Sequence, residues 1–120
     1  MAARPLAIEF LYEPDCDSRD VSLARLREVV AEEGGAATIE VVRVDTDEDA
    51  VARRFTGSPT IRIAGRDIDP PEASARYVLT CRAYRLPDGR ITPFPPKELI
   101  RAALREALAS PDENSQGGPG

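Results

Sequence analysis

The stretch Leu6-Ala7-Ile8-Glu9-Phe10-Leu11-Tyr12-Glu13-Pro14-Asp15-Cys16-Asp17-Ser18-Arg19-Asp20 decides the fold. Its first half, Leu6 to Tyr12, is a short apolar run with one charge, Glu9, bounded by Pro5 and by Glu13-Pro14-Asp15, which reads as a buried strand. From Asp20 the period changes. Val21, Leu23, Leu26, Val29 and Val30 recur at helical spacing, with Arg25, Arg27, Glu28, Glu32 and Glu33 opposite. Gly34-Gly35 ends that helix, because glycine takes the left-handed conformation that a helix terminus needs. Strand, corner and helix in this order open an α/β domain.

Working outward, Thr38 to Val44 is β-branched and partly alternating, a second strand. A helix between two strands predicts a parallel pair with a right-handed crossover. Thr46, with Asp49 as an abbreviated capping box, opens a short helix that reaches about Phe55. Gly57-Ser58-Pro59 then leads into a third strand, Thr60 to Ile63. Residues 66–77 read as a polar loop or short helical insert around Pro70-Pro71, and Val78 to Leu86 as a fourth strand. Pro87-Asp88-Gly89-Arg90 is a tight turn. Pro95-Pro96 starts a last helix whose Leu99, Ile100, Ala103, Leu104, Ala107 and Leu108 form an apolar stripe. The expected order is β-α-β-α-β-β-α, a four-stranded mixed sheet flanked by helices, as one domain over residues 1–109. From Ser110 the composition is that of a disordered tail, residues 110–120.

Composition excludes several chemistries. The chain has 120 residues, 42% of them hydrophobic and 31% charged, which suits one soluble domain. It has no histidine, so Ser-His-Asp and Cys-His catalysis and histidine-ligated zinc are absent from this sequence. Its two cysteines, Cys16 and Cys81, cannot alone close a four-ligand zinc site, and no metal or other cofactor is expected. A net charge of −5, with scattered arginines, argues against nucleic acid. No run approaches the roughly 20 apolar residues of a membrane span. Met1 to Pro5 lacks the apolar core of a signal peptide, so the expectation is a cytoplasmic protein with reduced thiols. Asp15, Asp17 and Asp20 have a spacing that suggests calcium, but the loop lacks the glycine and terminal glutamate of a calcium loop. Tyr77 and Tyr84 are read as packing residues.

Cys16 stands at the strand-to-helix corner. Unpaired N–H groups at a helix start favour a thiolate, Arg19 adds favourable charge, and Asp15, Asp17 and Asp20 oppose it. The alternative is a small apolar residue filling a corner. Ser58-Pro59 is a candidate cis peptide, although most X–Pro bonds in folded proteins are trans.

These features together resemble the thioredoxin-fold superfamily over roughly residues 6–108. The resemblance is nearest to a bacterial branch of thioredoxin family proteins, some loosely labelled alkylmercury-lyase-like. It rests on the Glu13-to-Arg19 corner, on the Gly57-Ser58-Pro59-Thr60-Ile61-Arg62 run continuing to Gly65-Arg66-Asp67, on Cys81-Arg82-Ala83-Tyr84-Arg85, and on Pro95-Pro96-Lys97-Glu98-Leu99-Ile100. It implies that Cys16 is the attacking thiol, that Pro59 is cis and packed against it, and that Ser58, Pro59 and Thr60 shape a substrate groove. The implied substrates are protein disulfides or small thiols. The chain departs from the dithiol pattern at one position, where Arg19 replaces the second cysteine. A monothiol route through a mixed disulfide remains. Cys81 is either a resolving thiol or a buried strand residue, and pairing would need Cα atoms within about 7 Å. Two further readings stand beside this one: a redox-inactive binding or scaffold domain, and soft-metal or organomercurial handling by the two thiols. The sequence leaves the oligomeric state open.

Overall fold

Strand β1 (Leu6–Tyr12) is the second strand of a four-stranded sheet and the one that both halves of the chain pair with. The computed structural model describes residues 6–35, 37–70, 75–77, 79–80, 82–86 and 88–109. Expectations placed on Val78, Cys81, Pro87 and the tail from Ser110 lie outside the described residues. Helix α1 (Arg19–Glu32) follows β1 and returns the chain to β2 (Ala37–Arg43), which runs parallel to β1 from Leu6↔Ala37 to Tyr12↔Arg43. At the end of α1, Gly34 has φ +109°, and the Gly34 and Gly35 N–H groups donate to Ala31 and Val30 carbonyls. Only a residue without a Cβ closes a helix this way cheaply.

Helix α2 (Asp47–Arg53) is capped by Thr46, whose hydroxyl accepts the Asp49 N–H at 3.0 Å. Strand β3 (Thr60–Ile63) then pairs antiparallel with β1, from Ile8↔Ile63 to Leu11↔Thr60. Its continuation differs from the sequence expectation. The fourth strand of the sheet is not Val78 to Leu86 but β4 (Arg66–Asp67), antiparallel to β3 across a two-residue turn at Ala64-Gly65. Both turn residues have positive φ, +53° and +82°, as a tight hairpin requires. Alanine at the first position hides that turn in the sequence. Within the expected strand, Tyr84–Arg85 (β5) pairs with Ile91–Thr92 (β6) as a separate hairpin. Helix α3 (Lys97–Ala109) completes the order. The sheet runs β2-β1-β3-β4, so the chain is an α/β fold with a mixed sheet and three helices among the described residues.

Alternation along β1 divides the core. Ile8 and Phe10 face Leu26, Val29 and Val30 of α1, Ile100 and Leu104 of α3, Ile61, Ile63, Ile68 and Tyr84. Leu11 faces the other way, against Val42, Val44, Ala50 and Phe55 under α2. The helices therefore lie on both faces. Leu108, expected in the α3 stripe, is exposed, as is Val21 of α1. Lys97, Arg101 and Arg105 of α3 pair with Glu28 and Glu32 of α1 and with Glu33 just beyond it. No helix among the described residues is long and apolar enough to cross a membrane.

Candidate functional site

Beyond Tyr12 the chain leaves the sheet in a turn that the Cys16 N–H closes on the Glu13 carbonyl at 3.0 Å. Helix α1 begins three residues later. Cys16 is a free thiol, only 7% exposed, and its Sγ lies 3.2 Å from the Ser18 hydroxyl. Ser18 is the residue before α1, yet its side chain makes no cap bond and meets the thiol instead.

The loop through Pro59 lies against this turn. The Ser58–Pro59 peptide is cis. The Ser58 hydroxyl accepts the Glu13 N–H at 3.0 Å, tying the loop to the turn that ends on Cys16. Ser58, Pro59 and Thr60 are buried. The Thr60 hydroxyl donates to the Gly57 carbonyl at 2.6 Å.

Arg19 does not serve the thiol. Its guanidinium stacks over the Tyr12 ring, 5.1 Å from the centroid, and pairs with Asp20 at 3.1 Å. The ion pair and hydrogen bond with Asp20 push its pKa up. A cation is instead buried behind the Pro59 loop. Arg82, 8% exposed, holds the Asp67 carboxylate with two hydrogen bonds of 2.8 and 2.9 Å. It also donates to the Asp69 carbonyl and, at 3.3 Å, to the Thr60 hydroxyl. Its guanidinium lies 4.8 Å from the centroid of the Tyr84 ring. Burial pulls the Arg82 pKa down, but the hydrogen bonds and charge of Asp67 outweigh it and the net shift is upward.

Tyr84 is fully buried, and it does more than pack. Its hydroxyl donates to the Pro59 carbonyl at 2.5 Å. Burial raises its pKa well above the ordinary phenol value, Arg82 opposes that shift, and Asp67, Asp69 and the Cys16 thiol add to it.

Sequence reasoning singled out Cys16, Ser58, Pro59 and Thr60, and the fold brings the Cys16 turn and the Pro59 loop together. Arg82, Asp67 and the hydroxyl of Tyr84 were missed as partners of that loop. The signal was an arginine two residues before a tyrosine in a mainly apolar stretch, matched by Gly65-Arg66-Asp67 upstream. Cys81, the candidate resolving thiol, lies outside the described residues. No group of three or more Cys, Asp or Glu among the described residues could hold a metal ion. A groove of about 800 Å³ opens elsewhere, between the β3–β4 turn and α3, lined by Ile63, Ile68, Pro70, Leu99, Ala103 and Glu106 among others. None of the Cys16 turn or the Pro59 loop lines it. Comparison with protein-family models and with curated proteins finds no match to the chain.

Proposed function

We propose that the chain is a thioredoxin-like monothiol protein in which Cys16 exchanges with disulfides. The observation that carries this reading is the contact between two loops: the Cys16 turn is tied through the Glu13 N–H to Ser58, beside the cis Ser58–Pro59 peptide. A thiol at a strand-to-helix corner, with a hydroxyl 3.2 Å from its sulfur, has a hydrogen-bond donor for the thiolate that attacks. In the exchange, the Cys16 thiolate attacks one sulfur of a disulfide. A Cys16 mixed disulfide forms, the original S–S bond breaks, and the departing thiolate takes a proton from solvent. A second small thiol, as its thiolate, then attacks the substrate-derived sulfur of the mixed disulfide, forming a new small disulfide and releasing Cys16 as the thiolate.

The test is trapping of the reduced protein with a neutral small disulfide at neutral pH, read by intact mass. One adduct that persists in Cys81→Ser and vanishes in Cys16→Ser supports the reading. Reaction at Cys16 no faster than with free cysteine overturns it. Arg19 favours a second reading, a redox-inactive binding domain, because the position that would carry a second thiol is committed to Tyr12 and Asp20. On that reading Cys16→Ser changes neither stability nor partner binding.

A further inference from the structure

An extended peptide that docks on a loop or strand edge does so by pairing its backbone with unpaired N–H and C=O groups there. In the Pro59 loop those groups are occupied from within the chain. The Ser58 N–H donates to the Thr80 carbonyl at 2.7 Å, and the Ser58 carbonyl accepts the Arg82 N–H at 2.8 Å. The Pro59 carbonyl accepts the Tyr84 hydroxyl, and proline has no N–H to offer. The Gly57 carbonyl accepts from Thr60. Thr80 and Arg82 thus take both backbone groups through which Ser58 would hold a peptide.

The segment that carries Thr80 and Arg82 is also held firmly. The Arg82 side chain is anchored by Asp67, Asp69 and Thr60, so lifting the segment would expose a buried ion pair. Its backbone passes so close to Gly57 that a Cβ there would sit 3.0 Å from the Arg82 Cβ and 3.1 Å from its Cα. Access to the thiol is restricted in the same sense, since Cys16 is 7% exposed. A small reagent needs only the sulfur. A polypeptide needs the edge as well.

We infer that this segment is a built-in occupant of the Ser58 edge, which restricts Cys16 to small disulfides and excludes extended polypeptides. The inference rests on the proposed exchange activity and names its substrate class. It also revises the expectation that the Ser58 backbone shapes a substrate groove.

The experiment uses the full reduced chain and two neutral probes with the same leaving thiol: 2-hydroxyethyl disulfide, and an uncharged cysteine-containing octapeptide disulfide-linked to 2-mercaptoethanol. Each rate of adduct formation is divided by the rate of the same probe with free cysteine, and Cys16→Ser gives the background. The normalised rate with the small probe should exceed that with the peptide by about tenfold or more, the scale of one or two lost backbone hydrogen bonds. Arg82→Gln, which loosens the segment, should raise the peptide rate relative to the small-probe rate. Amide exchange in the wild-type chain supplies a readout independent of any variant, with the Ser58 and Arg82 amides slow. A normalised ratio near one, or unprotected exchange at those two amides, overturns the inference and leaves the exchange activity standing. Reaction of neither probe above the Cys16→Ser background overturns the activity, and this inference with it.

Discussion

The Arg82 guanidinium and the Asp67 carboxylate face each other in a two-pronged ion pair, with side chains only 8% and 11% exposed. Arg82 follows β4 by fifteen residues in sequence, yet its side chain returns to the end of that strand. Bidentate geometry and a third and fourth acceptor, Asp69 and Thr60, use the guanidinium's fixed fork well.

Removing one member leaves the other charged and buried, so Arg82→Ala should destabilise the fold by about 3–5 kcal/mol. Urea unfolding measures it. Arg82→Met with Asp67→Leu should recover much of the loss, because replacing both charges removes the orphan. A double variant no more stable than Arg82→Ala would show that the pair is not the cause.

Tyr84→Phe keeps the ring and deletes the hydroxyl that serves the Pro59 carbonyl, and should cost about 1–3 kcal/mol. The pH dependence has a definite sign. A phenol whose folded pKa lies above its unfolded value of about 10 contributes stability that is present below that value and is lost as pH rises through the folded pKa. Alkaline unfolding followed by the 295 nm phenolate signal should show Tyr84 ionising only with unfolding, and Tyr84→Phe should flatten the alkaline loss.

Gly57 has φ +147° and lies against the Arg82 backbone. Gly57→Ala should destabilise by about 1–3 kcal/mol through backbone strain and the close Cβ contact. Thermal unfolding checks this. A change within measurement error would mean that the two segments separate freely.

Glu13, Asp15, Asp17 and Asp20 flank Cys16 in sequence, and Asp20 already takes Arg19. Anionic aromatic disulfides should therefore react with Cys16 more slowly than neutral pyridyl disulfides, relative to free cysteine. Salt should narrow the gap, since exposed charges are screened beyond about 10 Å at 0.1 M ionic strength. Asp17→Asn should raise the anionic rate about twofold and leave the neutral one unchanged. Stopped-flow absorbance at two salt concentrations measures both.

At the other end of α1, hydrogen bonds from Arg101 and then Lys97 hold Glu32 below its ordinary pKa of 4.5, and two from Arg105 do the same for Glu33. A lowered carboxylate pKa gives stability that is present above the unfolded value and lost as pH falls through the folded one. The melting temperature should therefore drop below about pH 4.5, less steeply in Glu32→Gln/Glu33→Gln, and less steeply in high salt.

Much of the architecture was legible because it is local. The apolar run at Leu6–Tyr12, the period change after Asp20, the paired glycines at 34–35 and the Thr46 cap each act within a few residues, and each element formed near its expected bounds. The fourth strand was not legible, because Ala64-Gly65 carries only half of a hairpin signature and β4 is two residues long. Arg19 shows a different limit. Its position beside the thiol suggested charge support, whereas its side chain found an aromatic face and a neighbouring carboxylate.

The sequence by itself determined the α/β class, the parallel β1–β2 pair and the corner that carries Cys16, because hydrophobic period, caps and turn residues are properties of adjacent positions. Only the tertiary structure decided what surrounds that corner. Glu13 meets Ser58 across 45 residues, Tyr84 meets Pro59 across 25 and Arg82 meets Asp67 across 15. Such contacts form only where burial leaves a polar group no water to bond, so each group must take whatever partner the folded chain brings within reach.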